Sequence, residues 1–129
     1  MRSVYDNIKS LFALRPQVAT ASVNGAGVDT LGYNSAAVTL EVGAVSGTTP
    51  TLDVKIQDST DNATFADVSG LIFTQVTTAN NSQVLRIEGL GTSTRRRYLR
   101  ADATISGTSP SFAFATNILL GRAFRAPVQ

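Results

Sequence analysis

The 129-residue chain contains no cysteine, histidine or tryptophan. Without cysteine there is no disulfide, thiolate nucleophile, zinc knuckle or iron–sulfur ligand. Without histidine there is no Ser-His-Asp or Cys-His machinery, and no side chain that titrates near neutrality unperturbed. Glutamate occurs only at Glu41 and Glu88, each on the outward face of an expected strand, so nothing sets the carboxylate separation a glycosidase needs. Gly25-Ala26-Gly27 lacks the third glycine and the following helix of a dinucleotide site. No apolar run approaches the roughly 20 residues of a membrane span. The opening MRSVYDNIKSLFALRPQ lacks the apolar core and cleavage site of a secretory signal. The expectation is a non-secreted protein that is not an enzyme and uses no cofactor or metal.

Present instead are 43% hydrophobic and 16% charged residues, which is globular rather than disordered. Lys+Arg 11 against Asp+Glu 9 leaves a net charge of +2, too small to indicate a partner-seeking basic surface. The length suits one domain with one core. There is no evident second domain, internal repeat or low-complexity linker.

Residues 1–16 stand apart. Val4, Ile8, Leu11 and Phe12 fall at i, i+4, i+7 and i+8, the spacing of one helical face. Ser3 and Asp6 match a capping box and Pro16 ends the pattern. This predicts a short N-terminal helix or arm, packed on its own domain or gripping another subunit, because so short a helix is marginal alone.

From Gln17 onward the period is two. Val38, Leu40 and Val42 alternate with Thr39 and Glu41; Leu52, Val54 and Ile56 alternate with Asp53, Lys55 and Gln57. Leu99 to Ile105 and Phe112 to Leu120 repeat the pattern. Such alternation predicts strands with one face in a core and one in water. Strands are expected at 17–23, 36–45, 52–57, 64–68, 71–76, 83–90, 97–105 and 112–121. Turns are expected between them, including 46–50 and 106–110, where Gly and Pro cluster. The predicted architecture is an all-β single-domain β-sandwich, jelly-roll-like, over 17–129.

Two segments carry candidate sites. In 57–68 the run Asp58 to Asn62 reads as a polar turn rather than a calcium loop, which would need a Gly at the bend and a terminal bidentate carboxylate. Arg95, Arg96, Arg97 and Arg100 surround Tyr98. Guanidinium groups with an aromatic ring can grip nucleic acid, but one triplet is a small footprint, and a solvated or subunit-pairing cluster is the preferred reading. At the C-terminus Phe124 lies between Arg122 and Arg125, a further candidate contact.

The opening Met1–Ile8, Leu31–Ala36, Leu52–Ser59 with Phe65–Val68, and Arg97–Arg100 together resemble a family of small proteins of tailed bacteriophages and prophages. That family resembles capsid decoration (cement) proteins. The resemblance implies a non-enzymatic virion protein, made in the host cytoplasm, that binds the major capsid protein on the capsid exterior as a homo-oligomer, a trimer at threefold positions. Val4, Tyr5, Ile8, Leu11, Phe12, Arg95, Arg97, Arg100 and Phe124 are the candidate partner-binding residues. Removing residues 1–15 is then expected to weaken particle association while leaving the sandwich folded. The alternative is a tail, neck or fibre module that binds a glycan or protein. Nucleic acid is a third and weaker candidate, and a membrane is not expected.

Overall fold

The computed structural model describes residues 8–88, 90 and 96–123. They hold seven strands: β1 (Lys9–Ala19), β2 (Val23–Asn24), β3 (Val28–Asp29), β4 (Tyr33–Ser59), β5 (Ala66–Ile72), β6 (Asn81–Glu88) and β7 (Tyr98–Ala123). The pairings are antiparallel, and β4 with β7 forms the spine of the sheet. The all-β expectation holds. The described residues include no helix.

β4 and β7, 27 and 26 residues long, run side by side from Tyr33↔Ala123 to Ser59↔Tyr98. Their first and last halves serve two layers. One layer is β1, the second half of β7, the first half of β4, and β6. The other is β2 and β3, the first half of β7, the second half of β4, and β5. Val38, Leu40, Phe112, Ile118 and Leu120 point inward from the first layer, and Leu52, Val54, Ile56, Leu99 and Ala101 from the second. All belong to one core cluster. Side chains of alternating strand residues thus fill the space between layers, which is the logic of a sandwich.

The bend that folds this ribbon lies where turns were expected. Residues 46–50 (Ser-Gly-Thr-Thr-Pro) and 106–110 (Ser-Gly-Thr-Ser-Pro) are not chain reversals but matched irregularities inside two continuous strands. Register shifts separate Ser46↔Ser111, Thr48↔Thr108 and Thr51↔Ser106. Extra residues of this kind bend and twist a strand, and they admit proline by interrupting the ladder. Gly47 and Gly107 have φ of 114° and 120°, while Thr49 and Ser109 occupy the left-handed region at 47° and 48°. Four expected strands therefore merge into two. The paired motif is also a short internal repeat written in the sequence, which corrects the expectation that there is none.

Both edges of the layers are tied across. A Cβ on Gly25 would fall 1.8 Å from the carbonyl oxygen of Ala13, so the chain before β3 lies directly on β1. Gly25 N–H also bonds to Ala101 O at 2.8 Å. On the other side Gln83 of β6 acts like a spare peptide group. Its Nε2 donates to Thr74 O at 2.9 Å, and Thr74 N–H donates to its Oε1 at 2.8 Å.

The expectation of a helix at the N-terminus is corrected. Lys9–Pro16 is the first part of β1, so the boundary drawn at residue 16 falls inside a strand. Two register shifts, between Phe12 and Leu14 and between Leu14 and Gln17, place Ala13 and Leu14 both in the core. They break the period of two and leave apolar residues at a spacing that mimics a helix.

Candidate functional surface

The candidate residues divide by strand geometry. In β1, Leu11 pairs with inward-facing Ile118 and packs against the core, while Phe12 pairs with outward-facing Asn117 and is 46% exposed. Ile8, immediately before β1, is also exposed. The expected single stripe of Ile8, Leu11 and Phe12 is thus split between the two faces of a sheet. Val4, Tyr5, Arg95 and Phe124 lie outside the described residues.

The arginines are held by intramolecular partners. Arg97 forms a fork on Asp29, with Nε to Oδ1 at 2.8 Å and Nη2 to Oδ2 at 2.7 Å, and its guanidinium lies 5.1 Å from the Tyr98 ring centre. Two parallel charge-assisted bonds make this the best-defined ion pair in the described chain. The bonds from Arg97 hold the Asp29 carboxyl below the usual carboxylate range, and the same contact raises Arg97. The pair staples the end of β3 to the residue before β7, helped by Thr30 Oγ1 donating to Arg97 O at 2.6 Å.

Arg100 donates from Nε to Gln57 Oε1 at 2.8 Å and stacks 4.3 Å from the Phe65 ring centre. Gln57 Nε2 in turn donates to Asp67 Oδ1 at 2.7 Å, and Lys55 Nζ bonds to Asp67 Oδ2 at 2.9 Å. The bond from Gln57 is the chief cause lowering the Asp67 carboxyl, and Asp67 in turn raises Lys55. Arg96 Nε lies 3.7 Å from Asp58, whose side chain is largely buried. The cluster that stood out in sequence is built into the loop end of the sandwich, which leaves fewer uncommitted donors for a phosphate backbone.

The 58–65 segment is a polar turn. Asp61 Oδ1 accepts from the Ser59 hydroxyl and from the N–H groups of Ala63 and Thr64 at 2.8, 2.9 and 2.9 Å. Those donors, the Thr64 N–H foremost, lower its pKa to about 2. Asn62 takes the left-handed conformation that asparagine tolerates in turns, with φ 59°. The turn folds back over the outer face and buries Ser59 completely.

Sequence reasoning named Ile8 and Phe12 but missed the rest of the surface they belong to, on the opposite layer. The outer face of β1–β7–β4–β6 carries Leu119, Ala115 and Ala113 from β7 and Ala37, Thr39 and Gly43 from β4. Large apolar side chains stand on both flanks: Ile8, Phe12 and Val18 on the β1 side and Val84 on β6. Four of the six exposed large hydrophobic residues among the described residues lie here, which concentrates exposed apolar surface on one face. The small central residues leave a hollow of about 610 Å³ lined by Ile8, Ala37, Val84 and Leu119 and, at the β6 end, by Ser35 and the pair Arg86–Glu88, in which Arg86 Nε donates to Glu88 Oε1 at 2.8 Å. A second hollow of about 370 Å³ lies by Pro16 and Val18. The signal available in sequence was the run of small residues on the outward phase of two strands.

No protein-family model matches the chain, and no curated protein sequence matches it. Solved structures do. The chain is similar to the SPBc2 prophage-derived protein YomS, with TM-score 0.54 and 12% identity over 88% of this chain and 92% of that one. It is also similar to a chain of infectious bursal disease virus, Gx strain, with TM-score 0.55 and 12% identity over 88% of this chain and 31% of that one. At such identity these likenesses establish the fold.

Proposed function

We propose that this chain is a non-enzymatic structural protein of a bacteriophage virion, a decoration protein that binds the major capsid protein on the outside of the head and strengthens the lattice. The observation that carries this reading is the match to a prophage-derived protein across nearly the whole of both chains. A chain of a virus structure shares the same fold. Fold alone never dictates function, so the surface matters too. Among the described residues no three His, Cys, Asp or Glu side chains gather as a metal site. The most conspicuous feature is an outer sheet face that gathers exposed apolar side chains around shallow hollows. Weak contacts repeated over a lattice gain strength through effective concentration, which suits such a face.

The test is the copy number of this protein relative to the major capsid protein in purified particles, by quantitative mass spectrometry. A ratio near one to one, or one per small group of capsid subunits, is expected. A handful of copies per particle would overturn the decoration role in favour of a neck, tail or fibre module. Removing residues 1–15 is not a clean test of the arm, because it would delete more than half of β1 and the core residues Ala13 and Leu14.

A further inference from the structure

We infer that Asn24 is a gated modification site, at which the chain's own Gly25 nitrogen closes on the Asn24 side chain once β2 opens. Asn24 is the one asparagine followed by glycine. In this reaction the Gly25 backbone nitrogen attacks Asn24 Cγ and gives its proton to solvent, and the side-chain amide leaves as ammonia. Water then opens the cyclic imide at either carbonyl, which leaves aspartate or isoaspartate at 24. Glycine favours the closure because it has no side chain to hinder the approach and little restriction of its backbone. Asparagine counts among the thermally labile residues.

The fold requires that glycine and at the same time blocks the reaction. A Cβ at residue 25 would fall 1.8 Å from Ala13 O and 2.9 Å from its carbonyl carbon, so only glycine fits. The Gly25 N–H, whose nitrogen must attack, is donated to Ala101 O at 2.8 Å. Asn24 is exposed and lies in β2, paired with Asp102. An extended backbone stands the side chain off from the main chain, and so away from the next nitrogen. Asn-Gly is the usual composition of a two-residue turn; here contacts with β1 and β7 hold it straight. The clamp is small. β2 has two residues, and the chain before it is pinned by Ser22 Oγ, which accepts from Ile105 N–H at 3.0 Å. So short a pairing opens while the rest of the sandwich stays closed.

Neither product closes the gate again. Aspartate at 24 stands opposite Asp102, and like charges at directly paired positions destabilise a strand pair. Lys55 Nζ lies 3.6 Å from Asp102 but is already bonded to Asp67 at 2.9 Å. Isoaspartate adds a carbon to the main chain, so the pairings Val23↔Ala103 and Asn24↔Asp102 no longer both hold. Modification therefore loosens β2 from β7, and with it the contact of Gly25 on β1 at Ala13. None of this depends on the virion reading.

Incubating the full chain in mildly alkaline buffer, folded or in concentrated urea, tests it. Peptide mass spectrometry follows each asparagine, and circular dichroism confirms the fold. In urea Asn24 is expected to convert before every other asparagine, and in the folded chain at least about tenfold more slowly. Small additions of urea should leave the folded rate unchanged, because the opening is local. Ser22→Ala removes one pin without altering Asn24 or Gly25. It should speed conversion in the folded chain about threefold or more and leave the rate in urea as it was. Asn24→Asp installs one product directly and should lower the urea midpoint, whereas the uncharged Asn24→Ser should leave it nearly unchanged. Equal rates at Asn24 in the folded and unfolded chain would overturn the gate, as would a folded rate that climbs steeply with urea or ignores Ser22→Ala. An Asn24 that outlasts other asparagines in urea would overturn the site itself. An Asn24→Asp chain as stable as the wild type would overturn the one-way character of the change.

Discussion

Thr48 faces Thr108 across the bend of the long β4–β7 ribbon, and the two residues sit at matching positions in the two Ser-Gly-Thr-(Thr/Ser)-Pro segments. Around them the geometry is reciprocal. A Cβ on Gly47 would lie 2.7 Å from Ser109 O and 2.9 Å from Pro110 Cα; one on Gly107 would lie 2.8 Å from Thr49 O and 2.9 Å from Pro50 Cα. Each glycine thus makes room for the Thr/Ser-Pro step of the other strand, and its positive φ excludes most side chains besides.

Gly47→Ala and Gly107→Ala should therefore destabilise the fold by similar amounts, about 1–3 kcal/mol each. The double variant should lose less than the sum, because the first substitution already opens the shared bend. Urea unfolding of the three variants measures this. Unequal single effects, or full additivity, would show that the two motifs bend independently.

The alternation of Val38, Leu40 and Val42, or of Leu52, Val54 and Ile56, made the core faces legible, because a strand displays its burial with a period of two. The bend was not legible. Ser, Gly, Thr and Pro carry the composition of a turn whether the chain reverses or two strands bulge together, and only the pairing of Thr48 with Thr108 separates the cases. β1 misled for a related reason: its two register shifts put Ala13 and Leu14 side by side in the core. The role of Arg97 was hidden by distance, since its partner Asp29 lies 68 positions away. The apolar outer face was visible only as scattered Ala, Gly and Val until the pairings aligned them.

The division of β1 between two environments predicts opposite outcomes at adjacent positions. Leu11→Ala removes a side chain packed on the core and should cost about 1–2 kcal/mol, whereas Phe12→Ser, on the outer face, should change monomer stability by less than about 0.5 kcal/mol. A helix with both residues on one face would make the two costs comparable. Chemical denaturation at low protein concentration distinguishes these outcomes.

Acid should destabilise the protein through its hydrogen-bonded carboxylates. Asp61 has its pKa lowered to about 2, and Asp29 is lowered by its fork with Arg97. A depressed folded pKa means the unfolded chain takes up the proton first, near its ordinary value of about 3.9. The stabilisation is whole above that value and is lost as pH falls toward about 2 at Asp61. Asp61→Asn keeps an oxygen for the Ser59, Ala63 and Thr64 donors but cannot titrate. Its urea midpoint should fall less steeply between pH 4 and 2 than that of the wild type, and identical slopes would refute the assignment.

Thr116 carries the last prediction. It is fully buried, and its Oγ1 is the only buried side-chain oxygen or nitrogen without a partner among the described residues. Its cross-strand neighbours on either side are Leu14 and Leu40, whose side chains are both buried. A hydroxyl placed there gives up its bonds to water and gains none in return, while valine has nearly the same shape. Thr116→Val should raise stability by about 1 kcal/mol, seen as a higher urea midpoint at unchanged slope. A lower midpoint would mean that the hydroxyl is bonded after all, to a water enclosed between β1 and β4, and would move Thr116 from a flaw in the core to one of its fixtures.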